Sequence, residues 1–414
     1  MKVVLSHPTG NQFVRALISA LAEQNRLSEF HTALAIGPDQ PLLRFLPENL
    51  RRELLRRSFP VSSSLIHTHP LREISRLFLP KLGFAGAVKH ETGFASVDAV
   101  YRNIDKAVAA RLSKLKRKDD VTAVYAYDDG AESSFKIAKE LGLTCFYDLP
   151  IGHWRASKIM LEAERERWPD WAATITGLQD SPAKLDRKDN ELRLADTIFV
   201  ASSFTAKTLE HFPGRLAPVK IVPYGFPPVA GHKNYDVKLS YNRPLKLLFV
   251  GGLSQRKGIA DLFAAVSIFG NRVDLTVVGQ KPVEDCRVLN DELNKHTWIP
   301  SLPHNGILAL MRSADVLIFP SLFEGFGLVI TEAMAQGTPV VTTERTAGPE
   351  LINDGENGWL INAGATEALC SAIENILVKP AVIQHAGLAA MQTAQKRPWE
   401  VYGQEMLAAI TADK

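Results

Sequence analysis

Glu324-Gly325-Phe326-Gly327-Leu328-Val329-Ile330-Thr331-Glu332 sets two carboxylates eight positions apart around a pair of glycines. The run follows Asp315-Val316-Leu317-Ile318-Phe319, an apolar, β-branched stretch closed by Pro320-Ser321 that reads as a buried parallel strand. Glycines at 325 and 327 let the backbone turn tightly and let a ligand come close. Residues from about Leu328 to Gln336 read as a helix, stopped by Gly337 and Pro339. Glu324 is therefore expected on a loop at the carboxyl end of a strand, and Glu332 in the first turns of the next helix. That is where open α/β sheets bind ligands. Carboxylates so placed suit a ligand with several hydroxyls, although the helix stripe shared by Glu332 and Gln336 is also what plain solvated surface gives.

The 414 residues are 46% hydrophobic and 22% charged, a globular composition long enough for two domains of roughly 100–200 residues each. Three cysteines (Cys145, Cys286, Cys370) without paired spacing argue against a disulfide framework or a four-cysteine zinc site. The start, Met1 to Pro8, is too short an apolar stretch for a secretory signal. No window approaches about 18 uninterrupted apolar residues, so a cytoplasmic protein is expected. Net charge is only +3, but residues 41–118 hold 16 Lys/Arg against 6 Asp/Glu. Arg51, Arg52, Arg56 and Arg57 lie at helical spacing, and Lys114, Lys116, Arg117 and Lys118 cluster again. This face reads either as solvated surface or as a contact for an anionic membrane or a lipid-phosphate acceptor. Aromatic residues are not interleaved with the clusters, so no nucleic acid partner is expected.

Strand-like segments at Val3–Ser6, Thr32–Ile36, Thr122–Ala126, Thr144–Asp148, Asp196–Ala201 and Lys220–Val222 alternate with helical patterns. The alternation restarts with Leu245–Val250, Asp274–Val278, Asp315–Phe319 and Pro339–Thr342. Between them, Gly225 to Asn234 is rich in Pro and Gly and has no periodicity. Two doubly wound, Rossmann-like α/β domains follow: residues 1–225 joined by about 396–414, a linker at 226–243, and residues 244–395. A cleft lies where their strand ends face each other.

In Phe249-Val250-Gly251-Gly252-Leu253-Ser254-Gln255-Arg256-Lys257-Gly258, a strand enters a glycine turn and two adjacent cations precede a helix at Ile259–Phe269. Helix N-terminal amides with Arg and Lys can cradle a diphosphate; an Arg-Lys pair on an exposed loop has the same appearance. Strand Val3–Ser6 leads through His7-Pro8-Thr9-Gly10-Asn11-Gln12 into a helix, but not as Gly-x-Gly-x-x-Gly, which argues against a dehydrogenase. Asp-x-Asp is absent, and so are a Walker loop and a Gly-x-Ser-x-Gly elbow. His67-Thr68-His69 has metal-like spacing, but it is expected to lack a nearby Cys or carboxylate.

The Glu324 to Glu332 run resembles the Glu-x7-Glu signature of the family-4 retaining glycosyltransferases, which have the GT-B fold. The resemblance covers nearly the whole chain and is strongest from about 245 to 362. It implies a sugar moved from a nucleotide-sugar donor, UDP-linked before GDP-linked, to a saccharide or lipid-linked acceptor with retention of configuration. Neither metal nor other cofactor is implied. Lys257 matches the family's phosphate Lys; Gly252 stands where the family has an Arg, so Arg256 is expected to supply the second charge. The resemblance also implies that Thr9, Gly10 and Asn11 touch donor phosphate or acceptor, and that His153, in Tyr147 to Arg155, lies near the donor sugar. Gly279, Gln280, Trp298 and Ile299 would hold the nucleobase. Glu324 with the backbone of Gly325, Phe326, Gly327 and Leu328 would hold the sugar, and Glu332 the ribose. Residues Ser157–Leu194 resemble an insertion that shapes the acceptor side, and the helix at about Trp399–Ile410 would cross back to the first domain. The rival readings are a UDP-sugar 2-epimerase on the same fold and a catalytically silent sugar-nucleotide-binding protein.

Overall fold

The computed structural model describes residues 1–37, 51, 55, 57–235 and 243–412. Arg52 and Arg56 of the basic stretch, residues 236–242 of the expected linker and residues 413–414 lie outside them. The first half folds as β1 (Lys2–Ser6), β2 (Leu27–Thr32), β3 (Ile66–Thr68), β4 (Val121–Tyr127), β5 (Thr144–Leu149), β6 (Thr197–Val200) and β7 (Val219–Ile221). These pair in parallel in the order β3-β2-β1-β4-β5-β6-β7. The second half gives β8 (Leu245–Val250), β9 (Val273–Val278), β10 (Thr297–Ile299), β11 (Val316–Phe319), β12 (Val340–Thr343) and β13 (Trp359–Ile361). Their order is β10-β9-β8-β11-β12-β13, again parallel throughout. Each sheet reverses direction beside its first strand, between β1 and β4 and between β8 and β11, and a crevice opens there at the carboxyl ends.

Helices cover both faces of a sheet of this kind, which is why the run Val316–Phe319 is apolar without alternation and fully buried as β11. The expected strand Thr32–Ile36 is corrected: β2 ends where that segment begins. Ser28, Glu29 and His31 broke the apolar signal. Glu29 is tolerated inside because Arg111 Nε (2.8 Å) and His31 Nε2 (2.9 Å) reach its carboxylate, with His67 Nε2 3.1 Å away on β3. His67 therefore does have a carboxylate beside it, brought by the pairing of β2 with β3, and Arg111 shares that carboxylate. Strands β3 and β13 are three-residue edges too short to show as a pattern.

The last helix, Trp399–Thr411, packs on the first, Gln12–Glu23; a Cβ on Gly403 would sit 2.7 Å from the Ala16 carbonyl. Phe226 N donates to Arg397 O (2.9 Å) where the chain crosses back. Tyr224 stacks on Phe13 (4.9 Å), meets Tyr402 edge-on (5.4 Å) and lies tilted against Phe326 (4.8 Å), so one aromatic core joins the two sheets behind the cleft. Residues Trp168–Ile175 leave the first sheet's layer and bury Trp171 in the apolar core of the second sheet, stacked on Phe263 at 5.8 Å.

Candidate active site

The loop after β11 is built for close approach to the other half of the molecule. A Cβ on Gly325 would lie 1.9 Å from the Pro150 carbonyl, so only glycine fits where the two halves touch. Its own carbonyl accepts from Ser202 Oγ (2.6 Å) and Thr205 Oγ1 (3.0 Å), both from the first half. The sequence had assigned this glycine to ligand approach; protein backbone takes that space. Gly327, at φ 89°, starts the helix Leu328–Ala335 in a left-handed conformation that a side chain would strain. Phe323 anchors the other end of the loop, buried edge-on against Phe204 at 5.4 Å.

The turn after β8 meets this loop directly. Gly258 (φ 71°) passes so close to Pro320 that a Cβ would fall 2.1 Å from its carbonyl. Leu322 N donates to Arg256 O (2.9 Å), and Arg256 Nη1 donates to Phe323 O (2.7 Å). The same Nη1 is 3.5 Å from Glu324 Oε2, and the Lys257 ammonium contacts that oxygen. Lys257 also lies 5.0 Å over the Phe319 ring. Burial, with Arg256 beside it, pulls the Lys257 pKa well below its ordinary value, while contact with the Glu324 carboxylate acts in the opposite direction. Burial likewise lowers Arg256. Gly252 is exposed with open space around a Cβ, and Arg256 and Lys257 alone carry the charge of this turn.

Glu332 opens on a different wall. A cavity of about 700 Å³ is lined by Thr9, Gly10, Asn11, Gln12 and Arg15 from the first half and by His304, Leu328, Thr331 and Glu332 from the second. Burial raises the Glu332 pKa, while His304 Nδ1, 3.8 Å away, acts to lower it. The structure thus gathers Thr9, Gly10, Asn11, Leu328 and Glu332 on one cavity. Arg15 and His304 join it unannounced by the sequence, since each reads there as an ordinary loop or helix residue, and Arg57 of the expected basic stretch lines it too.

Gly279, Gln280, Trp298 and Ile299 meet at the ends of β9 and β10. Gly279 N donates to Ile299 O (3.0 Å), Trp298 Nε1 donates to Gly279 O (2.9 Å), and Leu253 N donates to Gln280 O (3.0 Å). A Cβ on Gly279 would lie 1.8 Å from Gly251 O. The backbone of this corner is therefore fixed to the turn that carries Arg256.

His153 follows the segment 150–152 that packs on the loop 323–325, where a Cβ on Gly152 would lie 2.5 Å from the Phe323 ring. Its backbone N donates to Thr208 Oγ1 (2.8 Å), and its ring lies edge-on to Phe212 and 3.4 Å from Asp189. Burial lowers it to about 4, against the pull of Asp189, so the imidazole is neutral near pH 7. Arg155 is spent on Asp189 through contacts of 2.7 and 2.6 Å. His153 lines a smaller cavity, about 160 Å³, with Asp128, Lys188 and Phe323.

Residues 233–392 match the family model described as glycosyl transferases group 1. Over 263 residues the chain is 29% identical to a glycogen synthase of Mycobacterium tuberculosis, a match covering 61% of this chain and 60% of that one. The chain thus matches about three-fifths of that relative's length. The solved sucrose-phosphate synthase from Thermosynechococcus elongatus superposes with a TM-score of 0.64 at 19% identity, covering 100% of this chain and 98% of that one. The Anabaena protein HepE, solved with UDP and glucose, gives 0.62 at 16% identity over all of both chains. These likenesses show the fold: two Rossmann-like parallel-sheet domains in the GT-B arrangement.

Proposed function

We propose that the chain is a retaining glycosyltransferase that takes a sugar from a nucleotide-diphosphate donor, UDP-sugar first and GDP-sugar next. Its acceptor would be a saccharide or a lipid-linked saccharide. The observation that carries this is the meeting of Arg256 and Lys257 with Glu324 at the mouth of two facing strand ends, with Glu332 lining the adjoining cavity. A group 1 match across the second domain and a glycogen synthase relative support the transferase class, and neither favours the epimerase.

In this reading Arg256 and Lys257 exchange Glu324 for the donor's diphosphate and stabilise it as it leaves, in place of a metal ion. Glu324, released, accepts hydrogen bonds from sugar hydroxyls, aided by amides near Phe326–Leu328. Glu332 accepts from the ribose diol. The acceptor hydroxyl attacks on the face from which the diphosphate departs: its oxygen bonds to the anomeric carbon as the anomeric C–O bond to phosphate breaks, and its proton passes to the departing phosphate oxygen. His153, neutral near pH 7, is assigned a shaping role beside the donor sugar and no proton transfer. Thermal-shift screening against UDP-, GDP- and ADP-sugars, followed by the anomeric configuration of the product by NMR, tests the proposal. No shift with any donor, or an inverted product, contradicts it.

A membrane-seated acceptor is favoured by one surface. Leu71, Ile74 and Phe78 lie at helical spacing on Pro70–Phe78 and are 68, 45 and 56% exposed; Leu82, Phe84 and Phe94 continue the apolar face. Arg72 lies over Phe94 at 4.5 Å and Lys81 over Phe78 at 5.8 Å, which gives the face a basic rim. Arg57 of the expected basic stretch instead turns toward Glu73, at 3.4 Å. No helix among the described residues is long and apolar enough to cross a membrane, so this contact would be peripheral. Flotation with anionic vesicles at low salt, lost at high salt and in Phe78→Ser, is expected; a protein that stays with the soluble fraction contradicts it.

A further inference from the structure

The turn that carries Arg256 and Lys257 is held from outside its own domain. Thr174, at the end of the segment Trp168–Ile175, accepts from Gln255 N through Oγ1 (3.0 Å) and donates to Trp171 O (2.7 Å). Gln255 Nε2 donates to Glu164 Oε2 (3.0 Å) and Asp261 Oδ2 (3.3 Å), while its Oε1 accepts from Ala260 N (2.8 Å) at the start of the helix Ile259–Phe269. Arg167 ties the two acids together, 2.9 Å from Glu164 Oε1 and in contact with Asp261. Thr174 and Gln255 are fully buried, so bulk solvent does not reach these partners. Trp171, in the second sheet's core, and Cys286 Sγ, donating to Asp170 O (3.7 Å), fix the same segment in place.

We infer that this strap, Glu164 to Thr174, sets the position of Arg256 and Lys257, so that Thr174 and Glu164 are positioning residues for the diphosphate cradle. The inference rests on the cradle reading given above. It differs from the acceptor-side role that the sequence suggested for Ser157–Leu194. The physical case is local. Gln255 is covalently next to Arg256, and the strap supplies the acceptors for its N–H and, with Asp261, for its side-chain amide. Without Thr174 Oγ1 the Gln255 N–H would be buried unsatisfied, and the turn would shift to recover a partner. Shifts near 1 Å around a reacting group cost about 100-fold in rate elsewhere.

The test uses the full chain, titrated by calorimetry with UDP, GDP and ADP, and by ligand-observed NMR with the corresponding nucleosides. Thr174→Val should weaken the best diphosphate about tenfold and leave its nucleoside within about twofold, while Thr174→Ser restores wild-type binding. Glu164→Ala, at a second point on the strap, should act in the same direction and answers the case where Thr174→Val does not fold. Wild-type diphosphate affinity in both variants overturns the inference. So does an equal loss of nucleoside and diphosphate, which would mean general loosening. A wild-type chain that binds none of the three diphosphates overturns the cradle reading itself, and the inference with it.

Discussion

The Lys257 ammonium lies against the Glu324 carboxylate, and Arg256 reaches the same oxygen at 3.5 Å. Two cations on one carboxylate leave a local surplus of positive charge in a partly buried place, where an anion is held more strongly than in water. On the proposed reading, an incoming diphosphate would satisfy both cations and free Glu324 for sugar hydroxyls, making the ion pair and the donor complex alternative partnerships of the same three side chains.

Arg256→Ala or Lys257→Ala is therefore expected to lower turnover by roughly 100-fold or more, in line with the cost of losing one donor to developing charge. Steady-state kinetics with saturating donor measure it, and near-normal turnover in both variants would remove the cradle assignment.

Glu332→Gln and Glu324→Gln should differ in kind. Glu332 lines the cavity shared with the β1 loop and is assigned to ribose, so its loss should weaken nucleotide with or without a sugar. Glu324 is assigned to the sugar, and its loss should slow transfer while leaving free nucleoside diphosphate bound at least as well. Matching defects toward free diphosphate would refute this division of labour.

Activity is expected to survive EDTA, because on the proposed reading Arg256 and Lys257 would supply the positive charge that a metal otherwise gives the leaving diphosphate. A loss reversed only by Mg²⁺ or Mn²⁺ would show that these charges do not suffice.

Asp148, fully buried at the end of β5, has its pKa raised by burial from 3.8 to about 7, although a hydrogen bond from Tyr125 OH (2.6 Å) acts to lower it. The folded chain therefore keeps a proton that the unfolded chain releases. Stability from this group is complete below about pH 4 and is lost as pH rises through about 7. Asp148→Asn should gain melting temperature relative to wild type as pH goes from about 4.5 to about 8. Melting curves that stay parallel across that range would contradict it.

What the sequence exposed and what it concealed divide along physical lines. Both signature runs combine a buried apolar strand with a glycine turn, so the positions of Glu324, Arg256, Lys257 and the helix Leu328–Ala335 were readable from local pattern. β2 was misplaced because Glu29 and His31 are made tolerable by Arg111 and His67, which are distant in sequence. The purpose of Gly325 was hidden for the same reason: the Pro150 carbonyl that demands it belongs to the other half of the chain. Thr174 and Gln255 carry no motif at all; only their contact across the two halves marks them. His153 was placed by analogy with a strand end, and its burial against Phe212 and Asp189 is a tertiary outcome that spacing cannot report.

Calorimetric titration with UDP and UDP-glucose in EDTA, comparing wild type with the Arg256→Ala/Lys257→Ala double variant, decides whether these two cations hold the donor's diphosphate. Saturable, metal-independent binding to the wild type and none measurable to the double variant are expected, with GDP and GDP-sugar as the next pair if the base preference differs. Equal binding by the two proteins, or no binding of any nucleoside diphosphate by the wild type, would contradict the cradle reading.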